Sequence, residues 1–227
     1  MVKEGGKLER FLAYPPDQIL FIALALLPGF ALHEFAHAYT AWRFGDPTAK
    51  REGRVTLNPL VHLDPIGTIA VFLLGFGWAK PVPVNRFHFR RPRLAGVLVT
   101  LAGPLANLLI AFVSLFLWHV LTQWGGVVPT EDSALVRMFD ALIGINIVLF
   151  VFNLLPLPPL DGYRILEDLA PPHLRVRLTQ LETYAIVLFL VLFVTPLGDR
   201  VFGPIFSTLV PSVYAGMEAV LRPLFGL

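Results

Sequence analysis

The sequence contains no cysteine, which excludes disulfides and thiolate metal sites and leaves the redox compartment undetermined. Charge is scarce as well. Only 15% of residues are Asp, Glu, Lys or Arg, against about 25% in an average soluble domain. The formal net charge of +2 is too small to suggest a nucleic-acid partner. In "MVKEGGKLERFLAYPPDQ" no apolar stretch leads to a cleavage site of small residues, so no removable signal peptide is expected. No periodic repeat and no Ser/Gly linker divides the chain. Residues 1–227 are therefore expected to form one integral-membrane domain, with 1–17 as a short interfacial segment.

What the chain does have is apolar surface: 56% of its residues are hydrophobic and its mean hydropathy is +0.68. A soluble core built from 227 residues could not hide that much, so the expected fold is an all-α polytopic membrane protein. Apolar runs cover about Ile19 to Phe44, Leu94 to Trp124 and Ala134 to Leu157, each long enough to cross a bilayer. Thr183 to Leu197 is shorter, and Val201 to Leu227 is interrupted by Pro204, Pro211 and Glu218. The run from Ile66 to Ala79 falls short of the ~20 residues of a spanning helix and reads as re-entrant. Five to six transmembrane helices plus this segment are expected. Between the runs, "GRVTLNP" (Gly53 to Pro59) and "KPVPVN" (Lys80 to Asn85) read as short strands of a small membrane-associated β-sheet, the latter confined to an edge by its prolines.

Basic residues set the orientation. Arg43, Lys50, Arg51 and Arg54 follow the first run; Lys80, Arg86, Arg90, Arg91 and Arg93 follow the short one; Arg164, Arg175 and Arg177 follow Asp161. "GGVVPTEDS" (Gly125 to Ser133) has none. Those first three segments are therefore expected in the cytoplasm. Lys3, Lys7 and Arg10 dissent, which an amphipathic segment on the membrane surface would explain.

Within the first run, "LPGFALHEFAHAYTAW" (Leu27 to Trp42) places three ionisable groups in an apolar helix. His33, Glu34 and His37 spell H-E-x-x-H. Residues four apart share a helix face, so both imidazoles can bind one zinc ion while Glu34 serves as general base toward a metal-bound water. The bland alternative is a pair of buried histidines hydrogen-bonded within a helix bundle. Membrane depth makes that alternative costly, because polar groups on an apolar helix must face an internal site. A catalytic zinc usually keeps three protein ligands and one open position. Asp161, in "NLLPLPPLDG" (Asn153 to Gly162), is the candidate third ligand; the competing reading is a helix cap. The charge rule brings both segments to the cytoplasmic side, which favours the ligand.

These residues resemble the site-2 protease family of intramembrane zinc metalloproteases. The resemblance rests on "HEFAH", "GDPTAKREGRVTLNPLVHLDPIGT", "AGPLAN" and "NLLPLPPLDGYRIL", in that order, and covers nearly all of the chain after Gln18. It implies that His33, His37 and Asp161 hold zinc and that Glu34 is the catalytic base. It also implies substrates that are transmembrane segments of other proteins. Asn107, in the family's G-x-x-x-N pattern, and Asn153, before the third ligand, are implied near the substrate path. The chain matches a minimal form without PDZ or CBS domains. A prokaryotic cell membrane, with the site toward the cytoplasm, is the expected location. The two short strands would then offer an edge to a locally opened substrate. A metal or ion transporter using the same His/Asp site, and a pseudoprotease that binds membrane partners without cutting them, are the competing readings. Transport gives no particular reason for Glu34 beside the first ligand.

Overall fold

A computed structural model describes residues 13–75, 77–130 and 133–226. Most of the expected interfacial segment 1–17 lies outside them. Nine α-helices are present among the described residues: α1 (Pro16–Arg43), α2 (Thr48–Arg51), α3 (Pro59–His62), α4 (Pro65–Leu74), α5 (Pro92–His119), α6 (Ala134–Asn153), α7 (Asp161–Leu169), α8 (Pro172–Val194) and α9 (Pro196–Phe225). A π-helical turn, Val120–Trp124, prolongs α5.

Four of these are long and apolar enough to cross a membrane: α1, α5 with its π-turn, α6 and α9. These four are counted among the described residues, against five to six expected. The run starting at Thr183 proves to be the second half of α8. The first half carries Arg175, Arg177 and Glu182. The proline-interrupted last run, by contrast, is one helix of 30 residues. Pro28 likewise removes one backbone donor without ending α1, which continues to Arg43.

α1, α5 and α6 pack against one another, with α9 on the α5–α6 face. Small residues let the backbones approach: Ala25, Gly29, Ala31, Ala38 and Ala41 on α1, and Ala95, Gly96, Gly103 and Ala111 on α5, are all buried. Leu115, Ile147 and Leu221 lock α5, α6 and α9 together in one apolar cluster. On the outer face of α5, Leu94, Leu98, Leu105, Leu109, Val113 and Leu117 are exposed at helical spacing, as a lipid-facing surface requires.

The short run behaves as a hairpin. Asp64 caps α4 by accepting from Gly67 N–H at 2.8 Å. The helix ends at Gly75 with φ 74°, and the chain returns until Ala79 bridges Leu63 in antiparallel fashion. Gly67 and Gly77 allow the two arms to touch, since a Cβ on either would collide with the other arm's backbone. The tip reaches the start of α1, where Ala13 N–H donates to Phe72 O at 2.9 Å.

Among the described residues that single bridge is the only β-pairing, and the small sheet expected from Gly53–Pro59 and Lys80–Asn85 does not form. The reason is the fate of the backbone donors. Pro81 and Pro83 have none. Val82 N–H goes to Glu34 Oε2 and Asn85 N–H to Asp46 Oδ2. Lys80–Asn85 is instead an extended strap held by side chains.

Candidate active site

His33, Glu34 and His37 occupy the second half of α1, all buried. Asp161 opens α7 immediately after the proline-rich loop that ends α6, and α7 packs on α5 beside them. The two histidine Nε2 atoms lie 3.0 Å apart. Asp161 Oδ2 stands 3.2 Å from His33 Nε2 and 3.3 Å from His37 Nε2. The structure thus brings together the three residues read as ligands across 128 positions of sequence.

Hydrogen bonds behind the rings decide what those atoms offer. His37 Nδ1 is 2.7 Å from Val99 O; a carbonyl only accepts, so His37 carries its proton on Nδ1. His33 Nδ1 donates to Asn107 Oδ1, also at 2.7 Å. As neutral imidazoles, both rings therefore turn an Nε2 lone pair toward the cluster. They converge on a carboxylate oxygen that is buried and accepts no hydrogen bond. Three such atoms repel one another unless a cation lies between them. The spacing suits zinc, whose tetrahedral ligand atoms about 2.0–2.2 Å away stand roughly 3.3–3.5 Å from each other. His33, His37 and Asp161 could together hold a metal ion.

Gly103 makes room for this. A Cβ there would collide with His37 Nε2, so α5 can pass behind the site only with glycine in "AGPLAN". Glu34 sits beside the cluster with Oε2 accepting from Val82 N–H at 3.2 Å. The strap that supplies this bond is also tethered at its far end. Asp46 accepts from Asn85 N–H at 2.6 Å, and Arg86 pairs with buried Asp168 at 2.9 Å.

A cavity of about 1160 Å³ opens onto the cluster, walled by α1, α6, the α4 hairpin and the strap. Asn153 lines it, one amide hydrogen bonded to Leu149 O. Asn107 is fully buried and committed to its neighbours. Sequence reasoning missed Asn146, which bonds to Asn107; a lone amide in an apolar helix was the available signal. Val82 carried no signal, because it contributes through its backbone.

The remaining histidines lie elsewhere. His62 is buried with Nε2 on Thr56 O, in keeping with a structural role. His88 is exposed, with Nδ1 3.0 Å from Asp46 Oδ1. His119 meets Glu218 at 3.3 Å, about 24 Å along α5 from Gly103.

Comparison with known proteins shows the family. YwhC of Bacillus subtilis, named a candidate zinc metalloprotease, is 50% identical over 218 residues, spanning 96% of this chain and all of YwhC. The chain belongs to the site-2 protease family, peptidase family M50. The M50 family model itself matches residues 119–195. Rip2 of Mycolicibacterium smegmatis, of the same description, is 33% identical over 85% of this chain and 73% of its own length. MJ0611 of Methanocaldococcus jannaschii is 29% identical over 68% of this chain and 75% of its own. No solved structure matches. As an M50 member the chain is a multi-pass membrane protein of a zinc metallopeptidase family.

Proposed function

We propose that this protein is an intramembrane zinc endopeptidase that hydrolyses peptide bonds within transmembrane segments of other membrane proteins, in regulated intramembrane proteolysis. The observation that carries the reading is the convergence of three lone-pair atoms beside Glu34 on a cavity enclosed by apolar helices. In this reading His33, His37 and Asp161 hold zinc, which when bound supplies Lewis acidity to the scissile carbonyl and to water. Glu34 takes a proton from the attacking water as its oxygen bonds to the carbonyl carbon, then passes that proton to the leaving amine as the C–N bond breaks.

The buried setting of Glu34 supports this role, since the strap bond from Val82 orients the carboxylate without neutralising it. Asn153, on the cavity wall, is proposed to contact the substrate backbone. Asn107 is proposed to act on substrate only indirectly, through His33. The charge asymmetry of the loops supports a site on the cytoplasmic side of a prokaryotic cell membrane.

Glu34→Gln tests the proposal in one protein. Zinc content is expected to stay at one ion per chain while cleavage of a co-expressed membrane substrate is lost. Unchanged turnover would remove Glu34 from the chemistry. Loss of zinc together with activity would give Glu34 a binding role instead.

A further inference from the structure

We infer that Asn146 is a positioning residue for the metal centre: acting through Asn107, it sets which nitrogen of His33 carries the proton. The inference rests on the proposed reading of His33, His37 and Asp161 as metal ligands.

Asn146 lies in the middle of α6 and is fully buried, as is Asn107 on α5. An amide so placed in an apolar span is costly unless its hydrogen bonds are made. These are. Asn146 Nδ2 donates to Leu142 O, one turn back on its own helix, at 2.8 Å. Because a backbone carbonyl can only accept, this contact fixes which end of the amide is nitrogen. Asn146 Oδ1 consequently faces α5, where it accepts from Asn107 Nδ2 at 3.0 Å.

The same nitrogen of Asn107 donates to Gly29 O on α1 at 3.1 Å. Both hydrogens of the Asn107 amide are thereby assigned, and its oxygen is the atom left for His33. An amide oxygen has no hydrogen to give, so the proton in the 2.7 Å contact belongs to His33 Nδ1, and Nε2 is free to bind a cation. The donor sense runs unbroken from His33 to Asn107, from Asn107 to Asn146 and Gly29 O, and from Asn146 to Leu142 O.

The two histidines thus reach one tautomer by different means. His37 relies on a single backbone carbonyl, Val99 O. His33 relies on two side-chain amides spanning three helices. An amide could in principle turn over and offer its nitrogen to the ring, which would leave His33 with its lone pair on the wrong atom. Asn146 and Gly29 O together prevent this. Outer-shell partners of this kind orient ligands and tune the metal.

The test uses the full chain in detergent, with Zn²⁺ and Co²⁺ as probes. Zinc affinity is measured by chelator competition, and ligand geometry by the d–d absorption of the cobalt form. Asn146→Leu is expected to weaken zinc binding about tenfold, at the low end of the outer-shell range, and Asn107→Leu to approach 100-fold. Both are expected to alter the cobalt spectrum. Asn146→Asp keeps an accepting oxygen toward Asn107 and is expected to retain most of the affinity. Should Asn146→Leu not fold, Asn146→Ser carries the same expectation with less disruption of packing. Wild-type affinity and an unchanged cobalt spectrum in Asn146→Leu or Asn146→Ser would overturn the inference. Failure of the underlying ligand assignment would look different: His33→Ala would then bind zinc as tightly as wild type.

Discussion

Helix α5 carries a buried histidine–carboxylate cluster near each end, and the two solve opposite problems. Toward its start, His33, His37 and Asp161 gather beside Gly103 with three lone pairs directed at one point and an aspartate oxygen that accepts nothing. At its far end His119 faces Glu218 at 3.3 Å, while Tyr214 donates to the same carboxylate at 3.0 Å and Arg222 lies 3.5 Å from it. The second cluster contains its own donors and closes on itself. The first, among the described residues, has no donor besides the two ring nitrogens, an arrangement that could hold a cation. The large cavity opens onto the first alone. A buried His/acid group is therefore not in itself a metal site; what distinguishes one is where the protons already are.

The strongest way to break this comparison is to remove a carboxylate from each cluster. Asp161→Ala takes away one of three proposed ligands. Zinc affinity is expected to fall by more than the roughly 100-fold upper range of outer-shell changes, as read by metal content after dialysis. Glu218→Leu is expected to leave zinc content at the wild-type level. A zinc loss in Glu218→Leu would show that the two ends of α5 are coupled, and the distinction would fail.

Gly103→Ala sharpens the same contrast through shape. The added Cβ would meet His37 Nε2, whereas one on Gly216 of α9 meets nothing within 4 Å. Overpacking typically costs about 1–3 kcal/mol, and at Gly103 it falls on a ligand. Gly103→Ala is expected to lose zinc and to lower the Tm; Gly216→Ala is expected to do neither. Equal zinc binding by both would mean that α5 shifts to accommodate the methyl group.

Glu218→Leu carries a smaller effect of its own. It leaves His119 and the Tyr214 hydroxyl without their shared acceptor, a loss of about 1–3 kcal/mol. The metal-free protein is expected to melt at a lower temperature than wild type. An unchanged Tm would mean that water or other groups replace the carboxylate.

How much of this could be read beforehand follows from the range of each interaction. The face of α1 was legible, because His33 and His37 are four apart and helix geometry does the rest. Asp161 was legible only because loop charge brought two distant segments to one side. The small sheet was misread. Alternating residues at Lys80–Asn85 are a local pattern, but the donors that would have paired were taken by Glu34 and Asp46, 48 and 39 positions earlier in the chain. Nothing local encodes such a choice. Asn146 was missed because its meaning depends on Asn107, 39 positions away.

A third buried acid extends the comparison outside the membrane-spanning helices. Asp46 resembles Glu218 in being satisfied, but by backbone N–H groups as well as by a hydroxyl and a histidine. Burial works to raise its pKa; hydrogen bonds from the Thr48 hydroxyl, Asn85 N–H, Thr48 N–H and His88 outweigh that and hold it below the usual carboxylate value. A depressed folded-state pKa means that the ionised form favours folding. The contribution is thus complete above the unfolded value near 4 and is lost as pH falls through the lower folded one. Asp46→Asn keeps the shape but replaces an accepting oxygen with an NH₂ group facing donors. The Tm difference between wild type and Asp46→Asn is expected to be fully present at pH 5 and to shrink as pH falls below about 4. A difference that persists undiminished in acid would show that the loop holds the strap through shape rather than charge. Because Val82 reaches Glu34 from that strap, the same titration reports how firmly the proposed base is held.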